Sequence, residues 1–223
     1  MKDRFYLACF RDNVGSNVGF HRKDGKGYTT NVEEAHVYTR EEAQRAWDSG
    51  REIDQPICAD SVDALTVYKV DCQYIPIETY IPEDVDENTV FVAFIARKWD
   101  GNDVYWCSET EHLGRSLDFS KAMKFKYGSL PTHVKNRNVY IPLEMAEKKK
   151  RKTFDFSKFD RRKMVQSAGL KQPEWLKQQK RRRESGKTRW NCPSCGKISW
   201  QYNPYTFDGC KDMFCEEWRA HSE

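Results

Sequence analysis

Four cysteines near the end of this chain are the residues best suited to chemistry. They stand as Cys192-Pro193-Ser194-Cys195 and, after fourteen intervening residues, Cys210 and Cys215 with four residues between them. A Cys-x-x-Cys turn points two thiolates at one ion, and the small residue after it, Gly196, lets backbone N–H groups approach the sulfurs. The second pair closes a tetrahedron. Thiolate-rich, four-coordinate sites suit one structural Zn²⁺ and leave no open position for a catalytic water. The second spacing departs from the usual Cys-x-x-Cys, so His221 is an alternative to Cys215 as fourth ligand. Residues 190–223 are too few to bury much core, so metal binding must supply much of their folding free energy.

Cations crowd the stretch just before these cysteines. Residues 146–189 hold 17 Lys and Arg against 5 Asp and Glu, a charge of +12, in a chain whose net charge is +4. Residues 1–145 carry −6 and residues 190–223 carry −2. An acidic body thus bears one concentrated cationic segment, which dominates any encounter with a polyanion. Its candidate contacts are Lys148, Lys149, Lys150, Arg151 and Lys152, then Arg161, Arg162 and Lys163, then Trp175, Lys177, Lys180, Arg181, Arg182 and Arg183, and finally Lys187 and Arg189. Arginine grips phosphate bidentately, and interleaved rings such as Phe154, Phe156, Phe159 and Trp175 can stack on bases. The expected partner is DNA or RNA, or a nucleoprotein machine; an acidic protein surface is the competing reading.

These side chains need elements to position them. Ser157 caps an expected helix that runs to about Ala168 before Gly169, and Pro173 opens a second one that ends at Ser185-Gly186. The body reads as β-rich. Phe5-Tyr6-Leu7-Ala8-Cys9-Phe10 has strand length, followed by a turn at residues 13–16, a strand around Val18–His21 and a capping-box helix from Thr39 towards Gly50. Val90–Ile95, the turn at residues 99–102 and Val104–Cys107 repeat that order. Gly27…Ala35 and Gly114…Ala122 share one spacing, and Leu65–Val70 and Val139–Leu143 close the two units. The shared Gly…Ala spacing between matching strands favours duplication, an internal repeat, over two unrelated hairpins. Residues 74–89, with Pro76, Pro82 and an acidic end, read as a surface linker.

Two resemblances follow from these residues. The cysteine module resembles a zinc ribbon, which implies a site of four cysteine ligands and the option that Trp200, Tyr202 or Tyr205 faces outwards for stacking, with most of the other aromatics packed around the metal. The string at residues 27–43 resembles a β-rich element of uncharacterised bacteriophage-encoded proteins, which implies a phage origin and transfers no catalytic residue.

With 223 residues, 38% hydrophobic and 32% charged, the chain is expected to be soluble and thin-cored. Met1-Lys2-Asp3-Arg4 leads into a strand rather than a secretory signal, so the expected compartment is a reducing cytoplasm, that of a host if the gene is viral. There Cys9, Cys58, Cys72 and Cys107 are buried small hydrophobes. No acidic or histidine constellation of a nuclease or hydrolase is present, and a binding protein rather than an enzyme is expected. The expected fold is α+β: two related, small antiparallel β-sheet units at 1–73 and 90–145, joined by the linker, each with at most one helix. A basic helical arm at 146–189 and the ribbon at 190–223 complete it.

Overall fold

The computed structural model describes residues 3–109, 111, 114–130, 137–182 and 186–219, with backbone alone for 179–182. The chain is a mixed α+β structure of small antiparallel sheets and few helices. It divides into two compact units, residues 1–171 and 172–223.

In the first unit, β1 (Phe5–Val14) and β2 (Asn17–His21) form a hairpin, β3 (Tyr28–Thr29) lies beside β2, and β4 (Asp54–Cys58) lies beside β1. Between them runs α1 (Arg40–Ser49). Thr39 accepts from the Glu42 N–H while the Glu42 carboxylate accepts from the Thr39 N–H, which is the capping box that the sequence announces. A short α2 (Ala59–Asp63), which the sequence pattern does not announce, leads into β5 (Val67–Val70). The same order then recurs. β6 (Val90–Asp100) and β7 (Asp103–Cys107) form a hairpin, with β8 (Arg115–Ser116) beside β7 and β10 (Asn138–Pro142) beside β6. A further strand, β9 (Lys124–Lys126), also pairs with β6. The helix α3 (Leu143–Lys149) follows β10, as α2 follows β4.

The registers match as well. Phe5 opposes Cys58 and Ala8 opposes Phe20, while Phe91 opposes Pro142 and Phe94 opposes Trp106. Counted from these pairs, Phe5, Leu7 and Cys9 stand where Phe91, Ala93 and Ile95 stand. Strict in-out alternation does not hold in β1, where residues 5–9 are all buried. A strand covered on both faces loses the period of two. Where α1 has its place in the first half, the second has a 3₁₀ turn, Tyr127–Ser129; residues 131–136 lie outside the described residues.

The two hairpin turns meet at Gly15 and Gly101, both at φ +60°. A Cβ on Gly15 would lie 2.4 Å from the Gly101 nitrogen, and one on Gly101 would lie 2.6 Å from the Gly15 nitrogen. Only glycine permits that approach. Along this seam β5 pairs with β11 (Lys150–Thr153), running Val70↔Lys150 to Val67↔Thr153.

That pairing corrects the expected arm. Lys148–Lys152 is not a solvated charge run leading into helices but the end of α3 and a strand of the body. Phe154 is fully buried, its carbonyl accepts from the Val18 N–H at 3.0 Å, and Phe156 and Phe159 pack on Phe10. Ser157 caps nothing: Asp155 accepts from the Ser157 N–H, and the region folds as a 3₁₀ turn and a π-turn, Arg162–Gln166, that buries Met164 and Val165. The edge of β5 had backbone groups to satisfy, and the segment at 150–153 satisfies them.

Candidate metal centre and basic surfaces

In the second unit α4 (Glu174–Arg182) begins after Pro173, whose carbonyl accepts from the Lys177 N–H at 3.3 Å. The strands β12 (Thr188–Asn191) and β13 (Ile198–Gln201) then form a hairpin with the Cys192–Cys195 turn at its tip. Gly196 takes φ +72° there, and its N–H donates to the Cys192 carbonyl at 2.9 Å. The Cys195 N–H points at the Cys192 sulfur (3.5 Å), as the Asp212 N–H points at the Cys210 sulfur (3.4 Å). Each cysteine pair thus has a backbone N–H aimed at its first sulfur.

The four sulfurs lie within 4.8 Å of one another, with Cys192 Sγ–Cys215 Sγ at 3.5 Å and Cys195 Sγ–Cys210 Sγ at 3.6 Å. A tetrahedron with metal–sulfur bonds of about 2.3 Å has edges of about 3.8 Å. A disulfide needs sulfurs at about 2.05 Å. These cysteines fit one metal ion and are not cross-linked. The N–H of Cys195 pulls the Cys192 thiol down to about 7. In Cys195, Cys210 and Cys215 the nearest backbone N–H also favours the thiolate, but burial and neighbouring sulfurs outweigh it and the thiols sit above their ordinary value. Four thiolates this close need a cation among them. Of the two alternatives for the fourth ligand, Cys215 stands in the cluster; His221 lies outside the described residues. Lys197 pairs with Asp212 across the module.

The aromatic residues of this module correct another expectation. Trp190 and Phe207 pack on one another, whereas Trp200, Tyr202, Tyr205, Phe214 and Trp218 are exposed. Hairpin register explains it. Ser199 and Gln201 alternate inwards, at 5% and 6% exposure, so Trp200 between them faces outwards at 53%. Gln201 takes the place of an apolar strut: its amide N–H₂ donates to the Asn203 carbonyl at 2.7 Å and its oxygen accepts from the Asp208 N–H at 2.8 Å. On the outer face Arg189 is directly opposite Trp200, and Lys187 Nζ lies 5.0 Å from the Tyr202 ring centroid. The cysteine spacing signals a turn here, but which face the rings take is set by the hairpin register.

The remaining basic residues behave differently. Lys150 pairs with Glu147 and lies over Tyr68, Lys152 pairs with Glu33 at 3.2 Å, and Lys148 reaches Glu144 at 3.4 Å. Arg151 is mostly buried, 2.8 Å from Asp103 Oδ1 and 4.0 Å from Asp71, while its Nε donates to Thr30 Oγ1 at 3.3 Å. Lys69, also buried, lies 3.7 Å from Asp100 and 3.9 Å from Asp103. Burial pushes the Asp103 carboxyl above its ordinary value, against the pull of Arg151, Asn17 and Lys69. Arg162 and Lys163 are exposed at the π-turn, with Lys163 3.7 Å from Asp160; Arg161 is half-buried. Trp175 is half-buried and Lys177 pairs with Glu174. Lys180, Arg181 and Arg182 belong to the last turn of α4 by backbone, and Arg183 lies outside the described residues.

Fold and site together define an α+β chain with a cluster of four cysteines near its C-terminal end that could hold one metal ion. Comparison with protein-family models, with curated proteins and with solved structures found no match in any of the three. The resemblance of residues 27–43 to phage-encoded elements rests on those residues alone. Among the described residues no helix is long and apolar enough to cross a membrane.

Proposed function

We propose that this protein binds nucleic acid, DNA or RNA, through its second unit, with Zn²⁺ as the structural ion of a ribbon-like module. One observation carries the reading: a hairpin whose outward side sets Arg189 against Trp200 and Lys187 against Tyr202, while Trp190, Ser199 and Gln201 take its inward side. A module with so little core would gain stability by turning those rings inwards. Exposed rings flanked by cations are what unpaired bases and their phosphates require. The cationic last turn of α4, with Arg183 beyond it, adds to the phosphate attraction. The likeness of strand order between the halves of the first unit supports reading that unit as a duplicated scaffold. The phage element supports a viral gene acting in a host cytoplasm, and the absence of a catalytic constellation in the sequence supports a binding protein rather than an enzyme.

The test is fluorescence anisotropy of the full chain with single-stranded DNA and RNA across a salt series. Affinity should fall steeply with salt, because phosphate contacts release counterions. Replacing Arg181, Arg182 and Arg183 by Ala should weaken binding and flatten the slope. Binding to neither polymer, or binding indifferent to salt, overturns the reading.

A second reading has its own support. Met213 and Phe214 project from the Cys210–Cys215 turn, Phe214 at 92% exposure, as apolar tips suited to a protein surface. On this reading the chain is an inhibitor or adaptor of a host machine such as RNA polymerase, the ribosome or a defence complex. A stoichiometric protein partner that survives nuclease treatment in a pull-down, and is lost on Phe214→Ala, favours it. Loss of all partners after nuclease favours direct nucleic-acid binding.

A further inference from the structure

We propose that the first unit holds a separate site, a groove that takes a nucleoside monophosphate unit by its phosphate and its planar base. The groove encloses about 560 Å³ and is built from the β3 loop, the turn after β5 and the junction of α3 with β11. That size lies in the range of small-molecule sites, about 300–1,000 Å³.

Its lining carries both signs of charge. Three carboxylates line it, and each has a partner. Asp12 is held by Arg11 at 3.0 and 3.1 Å. Glu34 is held by Arg22 at 2.9 Å and by the Thr29 hydroxyl at 3.3 Å. Asp71 accepts from the Gln73 N–H at 2.8 Å and faces Arg151. Two lysines stand on the rim. The Lys148–Glu144 pair is exposed at both ends, hence strongly screened, and Lys149 lies over the Tyr74 ring at 6.0 Å. Arg22, Lys148, Lys149, Lys150 and Arg151 line the groove against Asp12, Glu34 and Asp71, so its lining carries a net positive charge.

The same walls offer a hydroxyl and a ring. Thr30 Oγ1 accepts from Arg151 Nε, which leaves its O–H free to donate to a phosphate oxygen. Arg151 is itself fixed by Asp103, so this donor sits on a rigid floor. Tyr74 is 63% exposed and presents a face for stacking beside the lysines. Phosphate donors next to an open ring select a phosphorylated planar group over inorganic phosphate or a bare nucleoside. A free nucleotide and the 5′-phosphorylated end of a strand share that chemistry. The groove uses no residue of the 187–202 hairpin, so it stands or falls separately from the reading of the second unit.

Calorimetric titration of the full chain with AMP, GMP, CMP and UMP tests it, with adenosine and inorganic phosphate as partial probes. The best monophosphate should bind at least about tenfold tighter than either partial probe. The Lys148→Glu/Lys149→Glu variant should lose at least about tenfold and Tyr74→Ala about fivefold, with unchanged melting of the first unit. Trp200→Ala should leave this binding intact even if it abolishes binding of long single strands. A 5′-phosphorylated trinucleotide that binds about tenfold tighter than the monophosphate, and is equally lost in the lysine variant, identifies the strand end as source; equal affinities identify the free nucleotide. No binding of any monophosphate or of the trinucleotide, or binding unaffected by both variants, overturns the site.

Discussion

Two basic segments of this chain have similar composition and opposite fates. Lys150, Arg151 and Lys152 lie in a strand, and each is set against a carboxylate or a ring of the body. Lys187 and Arg189 lie on the outer face of a hairpin beside exposed Tyr202 and Trp200. The first segment pairs its charges with carboxylates of its own unit; the second sets them beside exposed rings. The density of Lys and Arg along the chain therefore does not by itself say which cations the fold leaves beside open rings at the surface.

The comparison can be broken most drastically by removing the metal site. Cys192→Ser or Cys195→Ser should unfold the second unit and leave residues 1–171 folded, because structural zinc contributes about 10–16 kcal/mol of apparent binding energy to such modules. One metal ion per chain by elemental analysis, and selective loss of tail signals in NMR on chelation, are the expected readouts. An ordered tail in metal-free protein contradicts this.

Next in size is Arg151→Ala, which leaves Asp103 buried without its main partner and should destabilise the first unit by about 3–5 kcal/mol at pH 7 in urea melts. Burial raises the folded carboxyl above its ordinary value of 3.8. The ionised form is therefore the costly one, above the unfolded pKa. The penalty of the variant should shrink as pH falls through the folded pKa towards 3.8, where Asp103 takes up a proton. A penalty that grows in acid would refute the assignment. Nucleic-acid affinity of the second unit should not change.

Arg189→Ala and Trp200→Ala sharpen the other side. Each should weaken single-strand binding by about 1–3 kcal/mol, and the arginine variant should also lower the salt slope by about one. Neither should alter unfolding of the first unit. The smallest effect belongs to Lys152→Ala: its pair with Glu33 is largely exposed, so neither the melting temperature nor nucleic-acid binding should move measurably. A loss of binding by about tenfold on that substitution would erase the distinction between the segments.

Local chemistry was legible in the chain. Cysteine spacing and Gly196 define a metal turn without reference to anything distant, and Thr39 and Glu42 define their helix start for the same reason. The turns at Gly15 and Gly101 and the α+β class were equally plain, because each depends on neighbours within a few residues. What the residues at 146–171 would do was not legible. A run such as Lys148–Lys152 looks solvated until an edge strand, β5, and the carboxylates of a seam distant in sequence supply its partners. The direction of Trp200 and Tyr202 was likewise decided in three dimensions: pattern alone marks aromatics as core, whereas hairpin register and the hydrogen bonds of Gln201 turned them outwards. Spacing along the chain determines which groups can share an ion or a cap. Only the assembled fold determines which charges are already paired, and therefore which surfaces remain open to a ligand.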